Sequence, residues 1–111
     1  MTETNIKCLP EGRTYFTEIG HSQQYPWVEI KRTEMTVTLA KVQVKPDPDF
    51  KPDFIPGGFC AHCSNQSEQT WLFDKISDVQ TKTIRKTKRG WSHGETRFIE
   101  NRAIEFYDWN F

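Results

Sequence analysis

The densest grouping of metal-binding and nucleophilic side chains in the chain is Cys60-Ala61-His62-Cys63, which directly follows Gly57-Gly58-Phe59. A C-x-x-C step lets two thiolates reach one tetrahedral ion, because the turn between them folds both sulfurs to the same side, with zinc–sulfur bonds of about 2.3 Å. His62 places an imidazole within the same step, and a further ligand must come from elsewhere. His93, His21 and Cys8 are the candidates. His93 is favoured, because the glycine at Gly94 suits a turn that carries an imidazole over a neighbouring loop. Cys60, His62, Cys63 and His93 are therefore the candidate ligands of a structural zinc ion. The competing reading keeps Cys60 and Cys63 as small buried hydrophobes and gives His62 a loop carbonyl as partner, since a structural zinc site usually shows a second pair at family spacing.

Catalytic readings of the same residues are weaker. A catalytic zinc needs three protein ligands, an open position and usually a general base; Glu68 is the nearest carboxylate, and the H-x-E spacing of nucleobase deaminases is absent. Cys63, His93 and Asp108 can be written down as nucleophile, base and orienter, but no strained nucleophile turn or oxyanion helix marks the local sequence. The expectation is a protein that is not an enzyme.

A second grouping is electrostatic. Lys82, Arg85, Lys86, Lys88, Arg89, Arg97 and Arg102 face only Glu95 and Glu100 over residues 82–102, a local excess of five positive charges in a chain whose fifteen basic and fifteen acidic residues cancel. The remainder must be negative by five, so zero net charge hides a dipole. Charge falls on both parities of the strand-like run, which suggests an edge strand, and Trp91 beside the turn offers a stacking surface. Lys82, Arg85, Lys86, Lys88, Arg89 and Trp91 are the candidate residues for a nucleic-acid or protein partner, because cations with an adjacent aromatic suit single-stranded nucleic acid. The alternative is a solvated hairpin whose lysines keep an edge from pairing.

The elements that must position these residues read mostly as strands. Tyr15-Phe16-Thr17-Glu18-Ile19, Trp27-Val28-Glu29-Ile30 and residues 36–44 alternate apolar and polar with period two for much of their length, separated by polar turns, and predict an antiparallel meander. Residues 45–58 hold four prolines and three aspartates, a composition that predicts an irregular loop anchored by Phe50, Phe54 and Ile55. Its aspartates lack the glycine turn and terminal glutamate of a calcium loop. Residues 70–73 and 79–86 read as two further strands joined by a turn over 74–78. In residues 100–108, Ala103, Ile104, Phe106 and Tyr107 recur near helical spacing and predict a short C-terminal helix. The aromatic ending Phe106-Tyr107-Asp108-Trp109-Asn110-Phe111 predicts a tail docked on the sheet. The expected fold class is α+β: a small antiparallel sheet of about five strands, a long Pro-rich loop and a short C-terminal helix.

At 111 residues one domain spanning 1–111 is expected, and 14% aromatic content argues against disorder despite only 35% hydrophobic residues. The first residues lack the basic and apolar regions of a secretory signal, and no window approaches 18 apolar residues, so a cytoplasmic protein without a membrane partner is expected. Taken together, the Pro-Asp-Phe loop, the Gly-Gly-Phe turn with its cysteines and the aromatic ending give a chain that resembles, in general character, the small uncharacterised proteins carried by phages and mobile elements. That resemblance implies a phage or mobile-element setting; with the charge division and the absence of a catalytic constellation, the leading expectation is a binding protein with an anti-defence role of the anti-CRISPR type against a host effector. The alternative is a direct nucleic-acid-binding accessory module.

Overall fold

A computed structural model of the chain describes residues 2–55 and 62–109. Its strands are β1 (Glu3–Thr4), β2 (Ile6–Lys7), β3 (Tyr15–Ile19), β4 (Gln24–Arg32), β5 (Thr36–Pro46), β6 (Phe54–Ile55), β7 (His62–Cys63), β8 (Trp71–Thr87), β9 (Gly90–His93), β10 (Thr96–Glu100) and β11 (Arg102–Ala103). Among the described residues strand accounts for 60% and helix for 3%, with no helix of seven residues or more, so the α+β expectation is overturned in favour of a nearly all-β fold. The one helical turn among the described residues is a short 3-10 segment, Gln66–Glu68.

The expected meander β3-β4-β5 forms with antiparallel pairing throughout. Beyond it, β5 pairs with β8, β8 with β9, β9 with β10, and β10 returns to β3, every step antiparallel. The order β8-β5-β4-β3-β10-β9 therefore closes on itself as an up-and-down barrel, which leaves no open edge around the ring. Each strand of the ring sends an alternate residue inward: Phe16, Trp27, Val37 and Leu39, Ile84, Trp91 and Phe98 form one buried cluster. Edge-to-face contacts of Phe16 with Trp91 and of Trp27 with Phe98 fill it.

The residues of opposite parity build a second core. Tyr15, Val28, Ala40 and Val42 are buried together with Ile6 and Ala103, and Val44, Trp71, Phe73 and Ile76 pack against them. Here β5 and β8 run on past the barrel, and β2 lies parallel to the start of β8. At about 3.3 Å per residue the seventeen residues of β8 span roughly the 51 Å long axis of the molecule.

Two expectations about this strand change. The turn expected over residues 74–78 is instead a pair of irregularities inside one strand: β5 advances from Ala40 to Val42 while β8 runs from Thr81 to Ile76, and a smaller slip follows at Asp74. The buried Ser77 hydroxyl accepts hydrogen bonds from the backbone N–H of Val79 and Gln80, which holds the excess residues as a bulge. Nor is β8 an edge, since β5 and β9 flank its C-terminal half.

The segment expected to be helical is extended. Asn101 takes φ 64°, β11 pairs in parallel with β1, and Phe106 bridges Gln24. Side chains replace a ladder along the rest. Asn5 accepts from the N–H of Glu105 and donates to its carbonyl, Thr17 does the same between Ile104 and Arg102, and Gln69 brackets Tyr107. These contacts satisfy backbone groups that a helix of nine residues, marginal by itself, would have had to satisfy internally. The expected docking of the tail is present: Trp109 stacks on Trp71 and contacts Phe50.

Candidate functional site

Three of the basic residues singled out in the sequence, Arg85, Lys88 and Arg89, share one outer wall of the barrel, while Lys86, of the inward parity, lies over Trp91. Thr87 pairs with Gly90 across a two-residue turn, Lys88-Arg89, closed by a Thr87 hydroxyl bond to the Gly90 carbonyl; Gly90 takes φ 107°, a conformation a side chain resists. Across this hairpin and into β10, Arg85 pairs with Ser92 and Ser92 with Arg97, so two guanidinium-bearing residues flank one hydroxyl on neighbouring strands. Arg85, Lys86, Lys88, Arg89 and Arg97 are all exposed, and none forms an ion pair among the described residues. A concavity of about 440 Å³ lies here, bordered by Thr87, Arg89, Trp91, Ser92, Gly94, Glu95 and Arg97. Arg97, which the sequence counted in the charge excess but not in the binding set, belongs to this wall through its register with Ser92.

Two of the expected residues do not serve there as imagined. Trp91 is only 8% exposed: it packs in the barrel against Phe16, and its indole N–H points to Glu100, so it presents no open stacking surface. Lys82 faces the barrel interior, where its ammonium lies 3.7 Å from Glu18 and 5.2 Å from the centre of the Trp27 ring. Parity decides this, because Lys82, Ile84 and Lys86 share the inward face of β8. The Trp27 indole donates to the same Glu18 carboxylate at 2.9 Å. At the mouth beside the β4–β5 and β8–β9 hairpins, Arg32 bonds Glu29 and Glu100 at 2.7 and 2.8 Å and covers Phe16 and Trp91. Charge pairs laid over aromatic rings thus stopper both mouths of the barrel. Near the Lys82 mouth, Lys41 and Glu105 sit 4.0 Å apart and largely out of water; burial pushes the Lys41 ammonium down from its ordinary value and the Glu105 carboxyl up.

The candidate zinc ligands are not gathered. Cys60 lies outside the described residues, and of His62 the backbone alone is described, paired with Ile55 in β7. Cys63 is buried, its thiol directed at the Asn65 side chain. His93 stands on the barrel wall with Nδ1 3.1 Å from the Thr83 carbonyl, an acceptor, so Nδ1 carries the proton there. Among the described residues no group of three or more His, Cys, Asp or Glu side chains converges. Asp108 accepts from Gln66, the residue after the Asn65 that Cys63 contacts, while His93 stands apart on the barrel wall, so Cys63, His93 and Asp108 are not brought together as a catalytic set. Cys8, on an exposed turn at φ 64°, is also separate.

The acidic loop has a structural use. Asp47, buried, accepts from Lys7 at 2.8 Å, from the Thr70 hydroxyl at 2.7 Å and from the N–H of Asp49, and these donors hold its carboxyl down at about 2. No helix among the described residues is long and apolar enough to cross a membrane. Comparison of the chain with protein-family models, with curated proteins and with solved structures returns no match.

Proposed function

We propose that the chain is a non-catalytic binding module whose β8–β9–β10 wall takes the phosphodiester backbone of a nucleic acid, a single strand foremost. The observation that carries this reading is the set of four exposed cations, Arg85, Lys88, Arg89 and Arg97, without a carboxylate partner among the described residues. Two cations that cover the barrel aromatics are by contrast paired: Lys82 with Glu18, Arg32 with Glu29 and Glu100. Guanidinium groups bond phosphate oxygens in bidentate fashion, and the Ser92 hydroxyl between Arg85 and Arg97 supplies a neutral donor at the same level. With strands about 4.8 Å apart, these arginines are rooted roughly 10 Å from each other, close enough for one phosphate chain to engage both. Because the Trp91 ring is turned inward, contacts to this wall read charge rather than base identity, and the expected binding is nearly independent of sequence.

The test is the affinity of a labelled oligonucleotide as a function of salt. Binding should fall steeply as salt rises, and the double change Arg85→Ala, Arg97→Ala should weaken it for every sequence and reduce the log–log slope by about 1.4, near 0.7 for each single-strand phosphate lost. Lys82→Met should leave that slope unchanged, since Lys82 is committed to Glu18 and the barrel aromatics. Absence of binding at low ionic strength overturns the reading and leaves an acidic protein surface, such as that of a host effector, as the occupant of the same wall.

A further inference from the structure

At the far end of β8 from the cationic wall, the aromatic rings are dressed differently. Within the barrel, Trp27 is covered by Lys82 and Trp91 by Arg32 and Lys86, at 5.2 to 5.9 Å from ring centre to cation. Trp71 and Trp109 have no lysine or arginine over them among the described residues. Their rings lie nearly parallel with centres 6.5 Å apart, and Phe50 stands 5.8 Å from Trp109. Together with Pro46, Pro52 and Asp47 they enclose a concavity of about 130 Å³. That is well under the roughly 300 Å³ at which drug-sized pockets begin, and suits one compact head group.

The rings are set in place before any ligand arrives. The Trp71 indole N–H is bonded to Gln69, and the backbone N–H of Trp109 to Gln66, both at 2.9 Å. Tyr107 backs Trp109 edge-on. The wall holds a carboxylate as well as aromatic rings: Asp47 lines it, and the single ammonium of Lys7 is shared between Asp47 and Asp49, leaving one net negative charge on the three. Pre-formed aromatic faces beside a net negative charge are the surroundings that bind a cation too bulky and too weakly hydrated to need hydrogen bonds.

We propose that Phe50, Trp71 and Trp109, with Asp47 in the wall, form a binding site for a trimethylammonium head group. The site is independent of the cationic wall and of any polyanion bound there.

The probe is choline, titrated into the isotope-labelled full chain while the indole N–H resonances of the four tryptophans are followed. Those of Trp71 and Trp109 should shift and saturate, while those of Trp27 and Trp91 stay in place. The uncharged isostere 3,3-dimethylbutan-1-ol should bind at least about tenfold more weakly, the share expected of the cation–ring attraction. Trp109→Leu should abolish choline binding and Trp109→Phe retain part of it, with the unshifted Trp27 and Trp91 resonances verifying that each variant is folded. Equal binding of choline and its isostere, shifts spread over all four indoles, or no saturable shift would overturn the proposal. A peptide carrying trimethyllysine serves as the second arm. Tighter binding than choline places the head group on a partner protein; equal or weaker binding places it on a free small molecule.

Discussion

Asp47 shows what a single carboxylate does in this molecule. Three donors surround it, and its carboxyl titrates at about 2 instead of 3.8. A folded-state value below the unfolded one means that the unfolded chain binds more protons in that interval, so the stabilisation is complete above about pH 4 and drains away as pH falls towards 2. Glu105 has the opposite sign: burial raises its carboxyl, so its ionisation works against the folded state as pH rises through the raised value. Asp47→Asn should therefore lower the melting temperature at neutral pH and flatten its decline between pH 4 and pH 2 relative to the parent. Parallel acid curves for the two proteins would show that Asp47 is not the group responsible.

At the level of elements, the extended tail depends on side-chain amides, Gln69 above all. Almost fully buried, it donates to the carbonyls of Gln66 and Tyr107 and accepts from Tyr107 N–H and the Trp71 indole. Gln69→Ala leaves several partly buried partners unsatisfied and should cost roughly 3 kcal/mol, read as a shift in denaturant midpoint with the m-value unchanged. This clamp explains where sequence reading succeeds and fails. Period-two alternation in residues 15–44 identifies three barrel strands, because each has one face on a core. The tail carries a pattern compatible with either helix or strand, and the partners that decide between them, Asn5, Thr17, Gln66 and Gln69, are distant in sequence and give no local signal. Strands β9 and β10 are short and interrupted by Gly90, Gly94 and charges, so barrel closure is invisible without the register of Trp91 with Phe98 and of Phe98 with Glu18. For the site, the cationic cluster was legible as composition, but the inward turn of Lys82 and Trp91 and the inclusion of Arg97 follow only from parity around a closed ring.

Taken whole, the molecule has two cores joined by β5 and β8, and its radius of gyration of 15.4 Å exceeds the roughly 13 Å of a compact chain this long. Ile84 is fully buried at the centre of the barrel cluster, and Ile84→Ala should remove about 3 kcal/mol through the void it leaves. Since β5 and β8 belong to both cores, tryptophan fluorescence and far-ultraviolet circular dichroism should still report one coincident transition; two separated transitions would mean that the cores unfold independently. The bulge over residues 77–80 lies between those cores, with Val79 82% exposed at its crest. It takes up three surplus residues by switching which parity faces which core, since Ile84 and Ile76 share a parity but lie in different cores, and so acts as an expansion joint. Length can be gained or lost there while the cationic wall and the aromatic pocket each keep their register, which leaves the two surfaces free to diverge separately in evolution.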